Sequence, residues 1–168
     1  EDNGQGIPTE EVAARLLNIA DSPKDGISAA GQFGIGRLVG AGYCRRLVFE
    51  TSVKGEKIKT RLELDVDFVE NVLRDSSDDS SANELMDAAT QLKRSAEKEE
   101  AHYFKVFLED IKPDYDQLLD EELVTDYLKE VAPIDFSLPF KSRYYNAIEE
   151  EYKPYSNGLS YVNISVNQ

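Results

Sequence analysis

Two glycine-rich stretches near the start of the chain constrain its fold more than any other feature. The first is Asp2-Asn3-Gly4-Gln5-Gly6 and the second is Gly31-Gln32-Phe33-Gly34-Ile35-Gly36. Glycine has no Cβ, so it can adopt a positive φ and lets another group come close to the main chain. Both stretches therefore predict bends at which a ligand touches the backbone.

The residues around each stretch indicate which part of a ligand it would hold. Arg37-Leu38-Val39-Gly40-Ala41 predicts that an apolar helix begins directly after the second stretch. Free N–H groups and the positive end of a helix dipole favour phosphate there. The first stretch instead supplies a carboxylate, Asp2, which only accepts hydrogen bonds, and the exocyclic amine of adenine is a suitable donor. The pair predicts a nucleotide site.

This ordered pair resembles the GHKL ATPase superfamily, which joins DNA gyrase B subunits, heat-shock chaperones, histidine kinases and MutL proteins. Within it the chain is most similar to the N-terminal ATPase domain of the heat shock protein 90 type. GQFGIGR, from Gly31 to Arg37, is similar to the end of the lid in those chaperones. Asn18-Ile19-Ala20-Asp21-Ser22 lies at the same distance after Asp2 as its counterpart. The similarity extends from Glu1 to about Val131.

The resemblance implies an α/β fold, a two-layer α/β sandwich with a mixed, mainly antiparallel sheet of the Bergerat ATP-binding type. It implies ATP and Mg²⁺ as cofactors, and slow hydrolysis coupled to lid closure, as in a chaperone. The implied adenine-binding residues are Asp2, Gly4, Gly6 and Ile7. The implied phosphate-binding residues are Gly31, Gln32, Phe33, Gly34, Ile35 and Gly36, and the candidate lid contacts are Arg15, Asn18, Lys24 and Arg37.

The chain also departs from the family pattern. The family's water-activating glutamate and Mg²⁺-binding asparagine lie on a helix before the first stretch, so we expect them upstream of Glu1 and expect the chain to be truncated at its N-terminus. Asp21 stands at the position of the lid lysine, and Arg15 stands where the chaperones have an asparagine. Phe104 stands near the position of a threonine that assists the adenine-reading aspartate. A nucleotide-sensing regulatory module without turnover is therefore an alternative.

A dinucleotide-binding unit is a third reading of Gly34-x-Gly36, and it is disfavoured. The glycines of such a unit follow an apolar strand, whereas Ile27-Ser28-Ala29-Ala30 precedes these. The stretch also lacks the Lys-Ser/Thr end of a phosphate-binding loop.

Composition and charge limit the remaining classes of protein and partner. The 168 residues are 40% hydrophobic and carry a formal net charge of −14, which suits a globular domain and disfavours a nucleic-acid partner. The single cysteine, Cys44, excludes an internal disulfide and fits a reducing cytoplasm. No apolar run predicts a membrane span. The lone histidine, His102, has no metal-binding neighbours in sequence and is predicted to be structural. We expect ATP or ADP as partner, and a homodimer through domains outside this chain.

Periodicity and turn signals predict the elements. A helix should begin near Pro8, and a lid loop should occupy residues 21–30. Residues 75–83 are Ser- and Asp-rich, which predicts a flexible acidic insertion. We expect an ATP-binding domain over residues 1–140 and an extension over 141–168 that leads to a further domain. The other predicted elements are a short helix at 36–43, a hairpin of strands 46–53 and 57–66, a second hairpin of 88–96 and 102–109, a helix at 121–131 and a strand at 159–166.

Overall fold

A computed structural model describes residues 2–17, 36–75, 79–132, 147, 150–151 and 164–166. The chain divides into two compact units, Glu1–Asp114 and Tyr115–Gln168. The first unit contains a β-sheet and a layer of helices. The predicted boundary at residues 140/141 lies outside the described residues.

Within the described residues of the first unit, four strands form the sheet. They are β1 (Cys44–Ser52), β2 (Ile58–Asp65), β3 (Thr90–Ala96) and β4 (Tyr103–Ile111). Their order across the sheet is β3-β2-β1-β4, and each neighbouring pair is antiparallel. With helices on one face, this arrangement confirms the predicted two-layer α/β sandwich.

The first predicted hairpin is confirmed and the second is wrong. Strands β1 and β2 pair directly through the turn at Gly55, which has φ +95°. Strands β3 and β4, by contrast, lie at opposite edges of the sheet. The connection at residues 97–102 crosses the β1–β2 turn, where Glu97 N–H donates to the Lys57 carbonyl at 3.0 Å and Gly55 N–H donates to the Glu99 carbonyl at 2.8 Å. Strands that follow one another in sequence usually pair, and no local sequence pattern indicates that β3 and β4 do not.

Helices cover one face of the sheet. The layer comprises α1 (Val12–Leu17), a 3₁₀ helix (Gly36–Gly42), α2 (Val66–Arg74) and α3 (Ala82–Ala89). The predicted helices after Pro8 and after Gly36 are thus present. Helix α2 was not predicted. Helix α3 begins at Ala82, inside the stretch predicted as an acidic insertion, so that prediction extends too far.

Side-chain capping explains where α2 and α3 begin. The Asp65 carboxylate accepts from Phe68 N–H at 2.9 Å. Ser81 and Glu84 form a reciprocal capping box, in which each side chain accepts from the other residue's N–H. Such caps satisfy N–H groups that have no partner within the helix.

The hydrophobic core lies between the helices and one face of the sheet, called here the helix-facing face. Side chains alternate along a strand, so Leu47, Phe49 and Thr51 of β1 lie on this face, and Val48 and Glu50 lie on the opposite, outer face. The buried residues that form the core cluster are Val12, Leu16, Cys44, Leu47, Phe49, Leu62, Leu64, Val66, Met86 and Ala89.

The second unit contains helix α4 (Glu121–Val131), which confirms the prediction for residues 121–131. The Asp120 carboxylate caps it by accepting from the N–H groups of Glu122 and Leu123 at 3.0 and 3.1 Å. Residues 164–166 are the described part of the predicted C-terminal strand, and they are not in a strand. Within the described ranges, no helix is long and apolar enough to cross a membrane.

Candidate nucleotide-binding site

The first glycine-rich stretch begins as a short extension of the sheet. Asp2 N–H donates to the Phe104 carbonyl at 2.8 Å, and Phe104 N–H donates to the Asp2 carbonyl at 3.1 Å. Residues directly opposite in an antiparallel pair share a face. The Phe104 side chain packs against the core, and its ring centroid lies 5.9 Å from that of Phe49. Asp2 therefore lies on the helix-facing side, at the edge of β4.

The Asp2 carboxylate is partly engaged by its own turn. Its Oδ1 accepts from Gly4 N–H at 2.8 Å. Among the described residues, Oδ2 has no hydrogen-bond partner, and the residue is exposed. A carboxylate oxygen accepts more than one hydrogen bond. The turn thus holds an acceptor in place and leaves it open to an amine.

Gly6 is the position in this stretch that only glycine fits. Its φ is +74°, and a Cβ built there would lie 2.1 Å from the Ser52 carbonyl oxygen. Backbone cannot yield to such a contact as a flexible side chain could, so the bend and the close approach both depend on glycine. At Gly4 a Cβ would meet only the Asp2 carboxylate, at 2.8 Å.

Two further residues, Thr51 and His102, fasten the stretch to the sheet. The Thr51 hydroxyl accepts from Ile7 N–H at 2.8 Å and donates to the Tyr103 carbonyl at 3.0 Å. His102 Nδ1 lies 3.0 Å from the Gly4 carbonyl oxygen. Because that oxygen can only accept, Nδ1 must carry the proton of this bond. The prediction of a structural role for His102 agrees with this contact, whereas Thr51 gave no sequence signal beyond a β-rich context.

The second glycine-rich stretch is described only from Gly36 onward. The other residues predicted to bind phosphate lie outside the described residues, namely Gly31, Gln32, Phe33, Gly34 and Ile35. The 3₁₀ helix that starts at Gly36 packs close to the sheet. A Cβ at Gly40 would lie 3.0 Å from Leu47 Cδ1 and 3.6 Å from Leu108 Cδ1. The 3₁₀ helix that follows the second stretch therefore meets the sheet near Leu108.

An apolar strip on β4 connects the two stretches. Phe104, Val106 and Leu108 alternate along the helix-facing side of the strand, and Val106 is 42% exposed. Asp2 pairs with the first of these residues, and Gly40 lies against the last. Four residues of strand span about 13 Å, which is comparable to an extended nucleoside triphosphate. Asp2 and the 3₁₀ helix that follows the second stretch thus lie at the two ends of one strip on one face.

The candidate lid contacts are only partly described. Arg15 is exposed, and its guanidinium forms an ion pair with Glu11 at 2.6 Å. Arg37 Nε donates to the Leu16 carbonyl at 2.9 Å, which links the start of the 3₁₀ helix to the end of α1. Partial burial lowers the pKa of the Arg37 guanidinium. Asn18 and Lys24 lie outside the described residues.

A polar cleft of about 420 Å³ lies away from Asp2. It is lined by Arg45, Asp67, Glu70, Asn71, Arg74, Lys112, Pro113 and Asp114. Its basic side chains are already paired with acids, Arg45 with Asp67 and both Lys112 and Arg74 with Glu70. The Lys112 ammonium lowers the pKa of the Glu70 carboxyl. These paired charges make the cleft a weak candidate for an anionic ligand. In the described part of the chain, no group of three or more His, Cys, Asp or Glu residues could hold a metal ion.

An antiparallel sheet covered by helices on one face, with Asp2 and a 3₁₀ helix at the two ends of one strip, is the arrangement expected of a GHKL-type ATP-binding domain. The family model described as histidine kinase-, DNA gyrase B- and HSP90-like ATPase matches residues 1–99, more than half of the chain. The chain belongs to this family. A search of curated proteins finds no match. Family membership supports ATP binding and hydrolysis in general, and it implies a nucleotide ligand, usually with Mg²⁺.

Proposed function

We propose that the chain binds Mg·ATP over the apolar strip of β4 and, in the intact protein, hydrolyses it slowly in a cycle like that of the heat shock protein 90 type. In this proposal the adenine lies beside Asp2, and the triphosphate extends toward the start of the 3₁₀ helix. The observation that carries it is the placement of Asp2 and Gly40 at opposite ends of the strip formed by Phe104, Val106 and Leu108.

The base end has the chemistry that adenine requires. The open oxygen of Asp2 accepts from the exocyclic amine, while Gly4, Gly6 and Ile7 keep the main chain close to the ring. The partly exposed apolar strip offers surface for burying the ring. A base with a carbonyl in place of the amine would bring two acceptors together, and a site built around a hydrogen bond rejects such a ligand strongly. Asp2 would therefore select adenine over guanine.

At the phosphate end, main-chain N–H groups of residues 31–36 would hold the triphosphate. A protein of net charge −14 must bind phosphate through amides, Mg²⁺ and nearby cations. The proposed cations are Arg37, which directly follows the stretch, and Lys24 and Arg15 of the lid region, with Asn18 as a polar contact. Bound Mg²⁺ would neutralise developing charge on the phosphates.

Closure of a lid over the nucleotide completes the proposal. The segment between α1 and the 3₁₀ helix would close on the triphosphate, exclude water and limit turnover. A chaperone-like change of domain arrangement, and homodimerisation, would follow from that closure. Each of these steps depends on nucleotide binding at Asp2.

Calorimetric titration of the full-length protein with ADP and with ATP tests the binding step. Asp2→Asn keeps the shape of the side chain but replaces the carboxylate with an amide, so we expect affinity to fall about tenfold or more. Asp87→Asn, at an exposed position on α3, is the matched control and should bind like the wild type. Equal affinity of the Asp2→Asn protein and the wild type would remove Asp2 from the site. Steady-state phosphate release then separates an ATPase from a nucleotide sensor without turnover.

A further inference from the structure

We propose that Thr51 is a positioning residue for base recognition, and that its hydroxyl holds the first glycine-rich stretch in the geometry that presents Asp2 to adenine. The inference rests on the proposed function and adds a residue that does not itself touch the nucleotide. Thr51 is 1% exposed and lies on the helix-facing side of β1. It therefore acts through the chain segment that it binds.

The Thr51 hydroxyl both accepts and donates a hydrogen bond. It accepts from Ile7 N–H at 2.8 Å, and it donates its proton to the Tyr103 carbonyl at 3.0 Å. The second bond fixes the orientation of the hydroxyl, so its lone pairs point toward Ile7. Thr51 thus ties the end of the glycine-rich stretch to β1 and β4 at a single atom.

The same region is packed too tightly to shift without consequence. Gly6 approaches the Ser52 carbonyl so closely that a Cβ there would lie 2.1 Å from the oxygen and 3.1 Å from Thr51 Oγ1. Asp2, at the other end of the stretch, pairs with Phe104, and Phe104 is the register partner of Thr51 on β4. Thr51, Phe104 and Asp2 therefore form one row across the sheet. A displacement at Ile7 would be transmitted through Gly6 and Gly4 to the carboxylate.

Replacing the hydroxyl with a methyl group isolates this role. Thr51→Val preserves shape, but it leaves Ile7 N–H facing a carbon atom and the Tyr103 carbonyl without its donor. A buried donor without a partner is unfavourable, so the stretch should move to satisfy the N–H elsewhere. Thr51→Ser keeps both hydrogen bonds and loses only a methyl group.

Thr60 provides a matched control. It is 0% exposed, and it is the register partner of Thr51 on β2. Its hydroxyl donates to Thr9 Oγ1 at 3.0 Å, beyond the end of the glycine-rich stretch. Thr60→Val therefore removes a buried hydroxyl of the same kind from the same row without touching the segment that carries Asp2.

The experiment uses the full-length protein and two nucleotides, ATP and purine riboside triphosphate, which lacks the exocyclic amine. For Thr51→Val we expect ATP affinity to fall about tenfold and affinity for the purine analogue to stay within about twofold. Thr51→Ser and Thr60→Val should keep both affinities within about threefold of the wild type. Thermal unfolding should show similar losses for the two valine variants, since each loses one buried hydroxyl. In the Asp2→Asn background, Thr51→Val should cause no further loss of ATP affinity.

Several outcomes would overturn the inference. An equal loss for both nucleotides would show that Thr51 supports the fold in general, and the same ATP affinity in both valine variants would deny it a special role. If Thr51→Val does not fold, a loss of ATP affinity of about tenfold or more in Thr51→Ser decides against the proposal. If Asp2→Asn weakens ATP and Thr51→Val does not, positioning by Thr51 fails alone. If Asp2→Asn binds ATP like the wild type, the proposed function itself fails.

Discussion

The two faces of the sheet are held by different forces. On the helix-facing face, Leu47, Phe49 and Leu62 are buried under helices. On the outer face, Arg61 forms ion pairs with Glu63 at 2.8 Å and Glu109 at 2.6 Å, while its guanidinium lies 5.6 Å from the centre of the Phe107 ring. Apolar burial dominates folding free energy, and ion pairs that water still reaches, such as these partly buried ones, add less. The helix-facing face therefore contributes most of the folding free energy, and Asp2 lies on the same face.

The outer face nevertheless contains one buried polar network. Glu50 is 8% exposed and accepts from the Lys59 ammonium at 3.1 Å and from the Tyr103 hydroxyl at 3.3 Å. The same hydroxyl lies 2.9 Å from Glu97. Burial and these two acids raise the pKa of the Tyr103 phenol. The network links the start of the 97–102 connection to the sheet.

Consecutive residues of β2 test the difference between the faces most directly. Leu62→Ala removes a side chain that is 0% exposed, and we expect the free energy of unfolding to fall by about 2–5 kcal/mol. Arg61→Ala removes two ion pairs from the outer face and should cost about 1 kcal/mol or less. Denaturant unfolding of both variants measures the contrast. Similar losses for the two would mean that the charged face stabilises the fold as much as the core does.

Two glycines with positive φ extend the comparison to the first glycine-rich stretch. Gly6→Ala introduces both an unfavourable φ and a clash with the Ser52 carbonyl, so we expect a loss of about 2–4 kcal/mol. Gly55→Ala introduces only the unfavourable φ, because nothing lies within 4 Å of its Cβ position, and should cost about 1 kcal/mol. The difference in thermal unfolding isolates the close approach. A Gly6→Ala protein as stable as Gly55→Ala would show that the stretch is not packed on β1.

The smallest expected effect is the pH dependence of the outer face. The hydrogen bond from Arg61 keeps the pKa of the Glu63 carboxyl below its ordinary value. A lowered pKa in the folded state stabilises the protein above the unfolded value of about 4.3, and this contribution is lost as pH falls through the folded pKa.

The stability difference between the wild type and Glu63→Gln should therefore be constant near neutral pH, at about 1 kcal/mol or less. It should shrink below about pH 4.3, and the shrinkage should be weaker in the Arg61→Ala background. Urea unfolding at several pH values measures it. A difference that grows on acidification would contradict the assigned sign.

Local sequence patterns predicted much of this molecule. Alternation in β1 and β2 with Gly55 between them indicated the first hairpin, and the glycine-rich stretches led to the correct superfamily. Ser81 and Glu84 are a sequence signature of a helix N-terminus and indicate the start of α3. They lie in or next to a stretch whose polarity predicted a flexible insertion instead. Helix α2 follows β2 directly, because the last strand residue, Asp65, is also the cap of the helix, and no turn signal separates the two elements.

The parts that sequence did not reveal depend on contacts between distant residues. The pairing of β3 with β2, and of β4 with β1, is decided by burial across the whole sheet. The Thr51 hydroxyl accepts from Ile7 N–H, 44 positions away, and nothing in the two residue types indicates this contact. The sequence indicated Asp2 as a candidate ligand-binding residue through its neighbours Gly4 and Gly6. It did not indicate which residues hold that stretch in place.

The crossing of residues 97–102 over the β1–β2 turn has a consequence for the order of folding. We expect strand β4 to reach its edge of the sheet after that hairpin has formed, since the connection contacts both Gly55 and Lys57. Pairing between strands that are distant in sequence is slow compared with local pairing. Asp2 in turn pairs with Phe104 of β4, so we expect the segment that carries Asp2 to dock late in folding. A folding intermediate formed before this step would contain the β1–β2 hairpin but would lack nucleotide affinity.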